Sequence, residues 1–479
     1  MKIAGSKGML FLEPLKESYE FVRALRKEID QRYGPKPFSN KAIDFLSFCL
    51  TGIIVTGTIS WTRFETASAG SWSQTALSWF LHHSTFIPWQ KLLTASAMII
   101  CRTFGVTEGV LVIDDFDRHR SKSTTHIYGV HKIKNKKGGG FVSAQNVVLL
   151  VLVTKYFTLP IGFEFYRPDP DVKAWIIEDK KLRKKGVPKS QRPRKPFKNK
   201  VFPSKKAVAM RLVRQFKHFN KAFHIRAFTV DSAFMSKELR DDFRRTYPKS
   251  QLISQLKFNQ MAVISDKKSV RLDVYFNTKP TITKVLKLRC GKEKIIFYKS
   301  ERLLIKSQRR NYHVVAMRYE GEEKFRYLCA TDLTWRAEDI IRAYAFRWLI
   351  EVVIEDSKLY AGYGQVAMQQ GEDGARRVVG LSLLLDHFLI SHPEQIRLHR
   401  AGQLLRTVAS MQQHLQLQAL FRSIEKAIDC QDPKEALRNW MQKVRDHVEL
   451  KPSIKHMGGM EFGWMAPSPS LSKKFTKAS

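Results

Sequence analysis

The sequence predicts an α/β protein: a mixed five-stranded sheet flanked by helices, carrying a β-rich insertion and lying between helical N- and C-terminal regions. Three observations lead there. Short apolar runs that close on acidic or turn residues begin abruptly at Gly109. Runs with apolar residues every three or four positions fill the first 105 residues and return after Trp335. Between them, residues 258–333 break into short β-prone segments separated by Gly, Asn, Lys and Glu.

Composition narrows the class. A chain of 479 residues calls for two to four packed units. Its 83 Lys and Arg against 44 Asp and Glu leave a formal charge of +39, which favours a polyanionic partner, although ribosomal and membrane-surface proteins share such a balance. Cys49, Cys101, Cys290, Cys329 and Cys430 lie far apart with no CxxC pair, which fits a reducing, cytoplasmic setting and not structural zinc. The first residues, MKIAGSKGMLFLEPLKES, lack the apolar run of a signal peptide. The stretch from Ile43, IDFLSFCLTGIIVTGTIS, suits a buried helix better than a membrane span, so no membrane association is expected.

Taken in order, YEFVRALRKEI, TALSWFLHH and WQKLLTASAMIICRTF read as helices. SWSQTALSWFLHH is open to two readings, the second helix of a helix-turn-helix or a core helix anchored by its Trp and Phe. GVLVID, SAQNVVLLVLVT and FTLPIGFEFY read as three consecutive strands. Lys122 to Lys137 is either a phosphate grip of lysines and glycine amides or a solvated hairpin. In Lys180 to Lys206, 13 of 27 positions are Lys or Arg, four are Pro and none is acidic, so an exposed loop that contacts DNA through counterion release is expected, with Lys184, Lys185, Arg192, Arg194 and Lys195 as its contacts. A helix, KKAVAMRLVRQFKHF, leads to the strand IRAFTVD, a helix around MSKELRDDFRRTY and the strand LISQLK. In the insertion, VRLDVYF, KIIFYK, HVVAMRYE and FRYLCATD read as strands. WRAEDIIRAYAFRWLIEVVIEDSKLYAG reads as one long helix, helices continue to about residue 448, and the tail PSPSLSKKFTKAS is expected to be disordered.

This order of strands and helices is that of a ribonuclease H-like domain. Its first and fourth strands lie side by side, so Asp114 or Asp115 would meet Asp231 although 117 positions separate Asp114 from it. Adjacent carboxylates repel unless a cation sits between them, and magnesium prefers such oxygen ligands. On the late helix, Tyr344, Arg347, Glu351 and Lys358 fall at roughly 0°, 300°, 340° and 320°, a narrow polar stripe on a helix otherwise apolar and expected to be buried. Glu351 would join the aspartates, while Tyr344, Arg347 and Lys358 would meet phosphate. The same spacing also permits ordinary i, i+4 and i+7 salt bridges. Glu355, at roughly 20°, is the reserve ligand, and Asp356 points elsewhere, as a surface acid would.

Tyr344-x2-Arg347-x3-Glu351-x6-Lys358 resembles the YREK signature of the IS4 superfamily of DDE transposases, with IDDFD at 113–117 and VDSAF at 230–234 similar to its two aspartate segments. The family pattern reads Asp-x-Thr where Phe116 stands here, leaving Asp114 and Asp115 both open as the catalytic first aspartate. The resemblance spans residues 109–364. It implies metal ligation by Asp114, Asp231 and Glu351, two Mg2+ per site with Mn2+ able to substitute, and double-stranded DNA as partner. It implies cleavage at terminal inverted repeats, joining of 3′-hydroxyls to target DNA, a hairpin on the transposon end, a homodimeric synaptic complex and a nucleoid-associated protein. Regions follow accordingly: 1–105 helical and DNA end-binding; 106–257 the first part of the core, with the basic loop 180–206; 258–333 the insertion; 334–392 the second part of the core; 393–479 helical, for dimerisation. A ribonuclease H-like nuclease or resolvase without strand transfer, and a catalytically silent DNA-binding protein, are the alternatives.

Overall fold

The computed structural model of the protein describes residues 13–447, apart from 35–37, 85–86, 122–123, 125, 136–138, 198, 266–267 and 364–370. The N-terminal start and the C-terminal tail read above therefore lie outside the described residues. Five helices come first: α1 (Lys16–Tyr33), α2 (Asn40–Thr56), α3 (Trp61–Ala67), α4 (Gln74–His83) and α5 (Trp89–Thr103). Ser39 and Ser73 cap α2 and α4 by accepting from Ala42 N and Ala76 N. Every residue of α2 from Phe45 to Val55 is buried, so packing accounts for its hydropathy. No single described helix is long and apolar enough to cross a membrane. In α4, Leu77, Phe80 and Leu81 face the core and Phe80 stacks on Phe45, but Trp79 points outward against the expectation of a buried anchor.

The chain continues through β1 (Glu108–Arg120), β2 (Val130–Lys134), β3 (Phe141–Val153), β4 (Thr158–Tyr166), α6 (Pro170–Lys184), α7 (Lys205–Phe219), β5 (His224–Val230), α8 (Lys237–Thr246) and β6 (Gln251–Leu256). The insertion holds β7 (Met261–Ser265), β8 (Lys268–Arg271), α9 (Leu272–Asn277), β9 (Ile282–Lys287), β10 (Glu293–Ile305), β11 (Arg310–Tyr319) and β12 (Arg326–Ala330). Six helices close the described chain: α10 (Ala337–Ala345), α11 (Trp348–Leu359), α12 (Glu372–Ser391), α13 (Pro393–Arg400), α14 (Val408–Ile428) and α15 (Pro433–His447).

All the described strands join one mixed sheet of 12, in place of the expected five. β3 runs antiparallel to β1 and carries both β2 and β4 on its outer edge, while β5 and β6 follow β1 in parallel. The insertion then extends the same sheet, because β12 pairs antiparallel with β6 and β11 and β10 follow it. An unpaired β6 edge would expose a row of backbone donors and acceptors; β12 satisfies them. Helices cover both faces. Leu111, Ile113, Val148 and Leu150 pack with α7 and α8 on one. Val110, Val112, Val147 and Leu149 pack on the other in a single core shared with α1, α2, α10, α11, α12 and α14.

Five local expectations are corrected. VRLDVYF is not a strand: Leu272 and Phe276, four residues apart, are both buried, and the segment turns into α9. A helix precedes the basic loop and takes in its first residues, since Asp169 caps α6 with Pro170 in its first turn. The long late helix is broken, with i→i−3 bonds at Phe346, Arg347, Leu349 and Ile350 tightening the join of α10 and α11. Nor is that helix buried all round, for Trp348 is 61% and Leu359 59% exposed. Asp356, read as a surface acid, is half-buried, and burial raises its carboxyl above the usual range.

Gly362 locks the end of α11 to the N-terminal helices. Its φ is +72°, and a Cβ there would lie 2.7 Å from Ile59 N and 2.9 Å from Thr58 Cα. Gly362→Ala is expected to lower the unfolding free energy by about 1–3 kcal/mol in urea titration. Unchanged stability would show that this contact can shift without cost.

Candidate active site

The pairing of β1 with β5 sets the site. Ile113 lies beside Val230 in parallel register, so the next residue on each strand is an aspartate, Asp114 and Asp231. The side chain of Asp114 shares a face with Val110 and Val112, the face toward α10 and α11. Its Oδ1 accepts from the Asp115 amide at 2.8 Å and its Oδ2 from Arg347 Nη1 at 2.8 Å. Burial foremost, opposed by the Asp115 amide and Arg347 and reinforced by the charges of Asp115 and Asp231, pushes its carboxyl up to about 6. Asp231 itself begins a tight turn, its carbonyl accepting from Phe234 N at 3.0 Å.

From the helical side, Arg347 donates through Nη2 to Glu351 Oε1 at 2.8 Å, so one guanidinium bridges Asp114 and Glu351. The Glu351 side chain is 50% exposed, and its half of the bridge is correspondingly weak. Tyr344 donates its hydroxyl to Gln255 Oε1 at 3.1 Å, and burial pushes its phenol up to about 12. Lys358, two turns beyond Glu351, places Nζ 5.4 Å from the centre of the Phe116 ring. Glu355 is exposed between them.

Asp115 is turned the other way. As the neighbour of Asp114 on a regular strand it faces the opposite side, where its Oδ2 accepts from Lys205 Nζ and Asn146 Nδ2, each at 2.7 Å. Asn146 also donates to Asp117 Oδ1 at 2.6 Å. Asp115 thus meets neither α11 nor Arg347 in any hydrogen bond among the described residues.

Three carboxylates of the kind a hard divalent cation prefers thus come from neighbouring elements, and the charge of Asp231 adds to burial in raising Asp114 while Arg347 opposes it. The third does not yet join them. Among the described residues no three acidic, His or Cys side chains converge closely enough to hold a metal ion, because Glu351 and Asp114 are both turned onto Arg347. The pair fits a cation; the trio fits one only if Arg347 releases Glu351.

The same strand carries residues that the motif did not include. Continuing past Asp114 with period two, β1 presents Phe116, Arg118 and Arg120. Asp117, Arg118, His119, Arg120, Lys358 and Tyr363 line a cavity of about 540 Å³. Burial, with Arg120 adding to it, brings Arg118 down to about 10, and burial with the Arg118 charge brings Lys358 below its ordinary range. Cations crowded until their charge is disfavoured make a cavity suited to an anion. The run DFDRHR was the available signal, since the strand alternation of GVLVID continues through it.

Of the expected DNA contacts in the basic segment, Lys184, Lys185, Arg194 and Lys195 are exposed. Arg192 is not free to serve: it is half-buried and donates to Asp179 at 2.9 Å.

No protein-family model matches the chain, and no curated protein does. Among solved structures it is similar to one described as a cryo-EM structure of a piggyBac transposase synaptic complex with hairpin DNA. The two share 11% identity with a TM-score of 0.40, over 97% of this chain and 88% of that one.

Because Asp114 rises from an ordinary 3.8 to about 6, the folded protein holds a proton between those values that the unfolded chain has lost. Stability conferred below that window falls as pH rises through it, by about 2–3 kcal/mol for this group. In chelator, Asp114→Asn should therefore reduce the stability lost between pH 4 and pH 7 by about 2 kcal/mol. An unaltered difference between the two pH values would contradict the buried, repelled position of Asp114.

Proposed function

We propose that this chain is a DNA transposase of DDE type, which binds the terminal repeats of a mobile element, cleaves there and joins the 3′-hydroxyl ends to target DNA. The observation that carries the reading is the Asp114–Asp231 pair on adjacent parallel strands, with Arg347 and Glu351 folded over it beside a cationic cavity. The strand path β4-β3-β1-β5-β6 within the larger sheet, three antiparallel strands then two parallel ones, supports a ribonuclease H-like core. The charge of +39 supports a nucleic-acid partner.

In this proposal Asp114, Asp231 and Glu351 hold divalent magnesium, with manganese able to substitute. Bound there, a pair of such ions supplies the Lewis acidity for in-line displacement at phosphorus. The protein's own part begins with Arg347. A phosphate entering the site competes with the two carboxylates for its guanidinium, which binds phosphate oxygens in the same forked manner. Transfer of Arg347 to the phosphate frees Glu351 to turn toward the aspartates, so the site is completed by its substrate. Lys358, Arg118 and Arg120 meet phosphates flanking the cleaved bond, and the neutral phenol of Tyr344 offers a hydrogen bond at neutral pH. A second copy in the assembly is supported by an exposed apolar stripe on α14, Leu417, Phe421, Ile424 and Ile428, at helical spacing.

Labelled end duplex incubated with magnesium should yield both nicked and joined products; nicks without joined product would instead mark a simple nuclease. Asp231→Ala and Glu351→Ala should each reduce cleavage to background while leaving DNA affinity in gel shift within about twofold. Full cleavage by either variant would remove that residue from the site. For Lys358→Ala the expectation is weaker binding to the end, with the slope of log K against log salt reduced by about one. A slope identical to the parent's would exclude a phosphate contact.

A further inference from the structure

We infer that Phe197 is a wedge that inserts between DNA base steps, carried on a cationic arm rooted at the same end of the sheet as the candidate site, on the opposite face. The inference rests on the proposed DNA partner and adds a contact that neither the acid residues nor the expected basic contacts supply.

The arm is defined by what it packs against. Helix α6 buries none of its residues, and the segment returning along it holds to α6 itself. Trp175 Nε1 donates to the Pro193 carbonyl at 2.7 Å, Arg192 pairs with Asp179 at 2.9 Å, and Lys195 Nζ sits 6.0 Å from the centre of the Trp175 ring. Both roots of the arm lie at the end of the sheet that bears Asp114, on the face toward which Asp115 turns. Tyr166, the last residue of β4, is in register with Asn146, which is in register with Asp117. On the return, Lys205 bonds Asp115 and places its Nζ 5.1 Å from the centre of the Tyr166 ring. Fifteen helical residues give the arm a length of about 22 Å, or roughly six base pairs of B-form DNA.

On this arm Phe197 is 98% exposed. It adds nothing to the core, and Pro193 and Pro196 before it restrict the backbone, so presenting the ring costs little further ordering. Around it Arg194, Lys195 and Lys200 are exposed. A bare phenyl ring among cations is complementary to a surface that is anionic outside and offers flat apolar faces within, which describes the base stack of a duplex behind its phosphates. An anionic lipid surface shares the charge, but it has no reason to lie at the end of the sheet that bears the acidic pair. Arg194, Lys195 and Lys200 would meet phosphates while the ring parts one base step and kinks the duplex toward the site.

The test uses the full chain and mixed-sequence 30-base-pair duplexes with 2-aminopurine placed at successive positions. Binding should raise the fluorescence at one step, and Phe197→Ala should abolish that rise and weaken binding about tenfold with the salt slope unchanged. Phe197→Trp should restore it. Duplex binding by the parent with no position brightened, or equal brightening by Phe197→Ala, would overturn the wedge and leave the DNA reading intact. Absence of duplex binding by the parent would overturn both. Phe197-dependent binding to vesicles of anionic phospholipid, without brightening of any duplex, would assign the ring to a membrane instead. Thermal melting should be the same for the parent and Phe197→Ala, since the ring touches no core residue.

Discussion

Two carboxylates forced together by strand register are the constraint on which the rest of this structure turns. Parallel pairing of β1 with β5 puts Asp114 next to Asp231, and burial foremost, with the charge of Asp231 among the lesser causes, raises the Asp114 carboxyl. In the structure a guanidinium opposes that rise: Arg347 reaches down from the join of α10 and α11 and takes Asp114 and Glu351 together. The same guanidinium fixes the turn of Glu351.

Holding α11 there requires support from distant parts of the chain. Ile350 and Val353 belong to the same core as α1, α2, α12 and α14, and Gly362 rests directly on the backbone of Thr58 and Ile59. The N-terminal helices are thus part of what positions the candidate site, whatever else they bind. The insertion contributes in a different way. By adding β12 to the free edge of β6 it closes that edge, and Gln255 on β6 receives the hydroxyl of Tyr344.

Positive charge is distributed in two regimes. Around the cavity beside Asp114 it is crowded and partly desolvated, which lowers Arg118 and Lys358 and favours an anion entering a defined place. Along the arm it is exposed and solvated, suited to long-range attraction and counterion release and to little discrimination.

Much of this was legible in the residues. The apolar run GVLVID, the doubly buried β3 segment and the acid-ended IRAFTVD announce their strands because local pattern suffices, and the spacing of Glu351 and Lys358 marks one face of α11. Asp169-Pro170 was a readable start for α6 as well, masked by the density of lysines after it. Tertiary structure alone decided the remainder. Strand alternation says that Asp114 and Asp115 face opposite ways, but which of them meets α11 depends on which side of the sheet that helix covers. Likewise a β-prone segment carries its own period and not the identity of its neighbour, so nothing local tells β12 to pair with β6. Periodicity is a property of residues close in the chain; register between strands and the choice of a covered face arise from contacts between residues far apart in it, such as Ile113 with Val230 and Ile253 with Ala330.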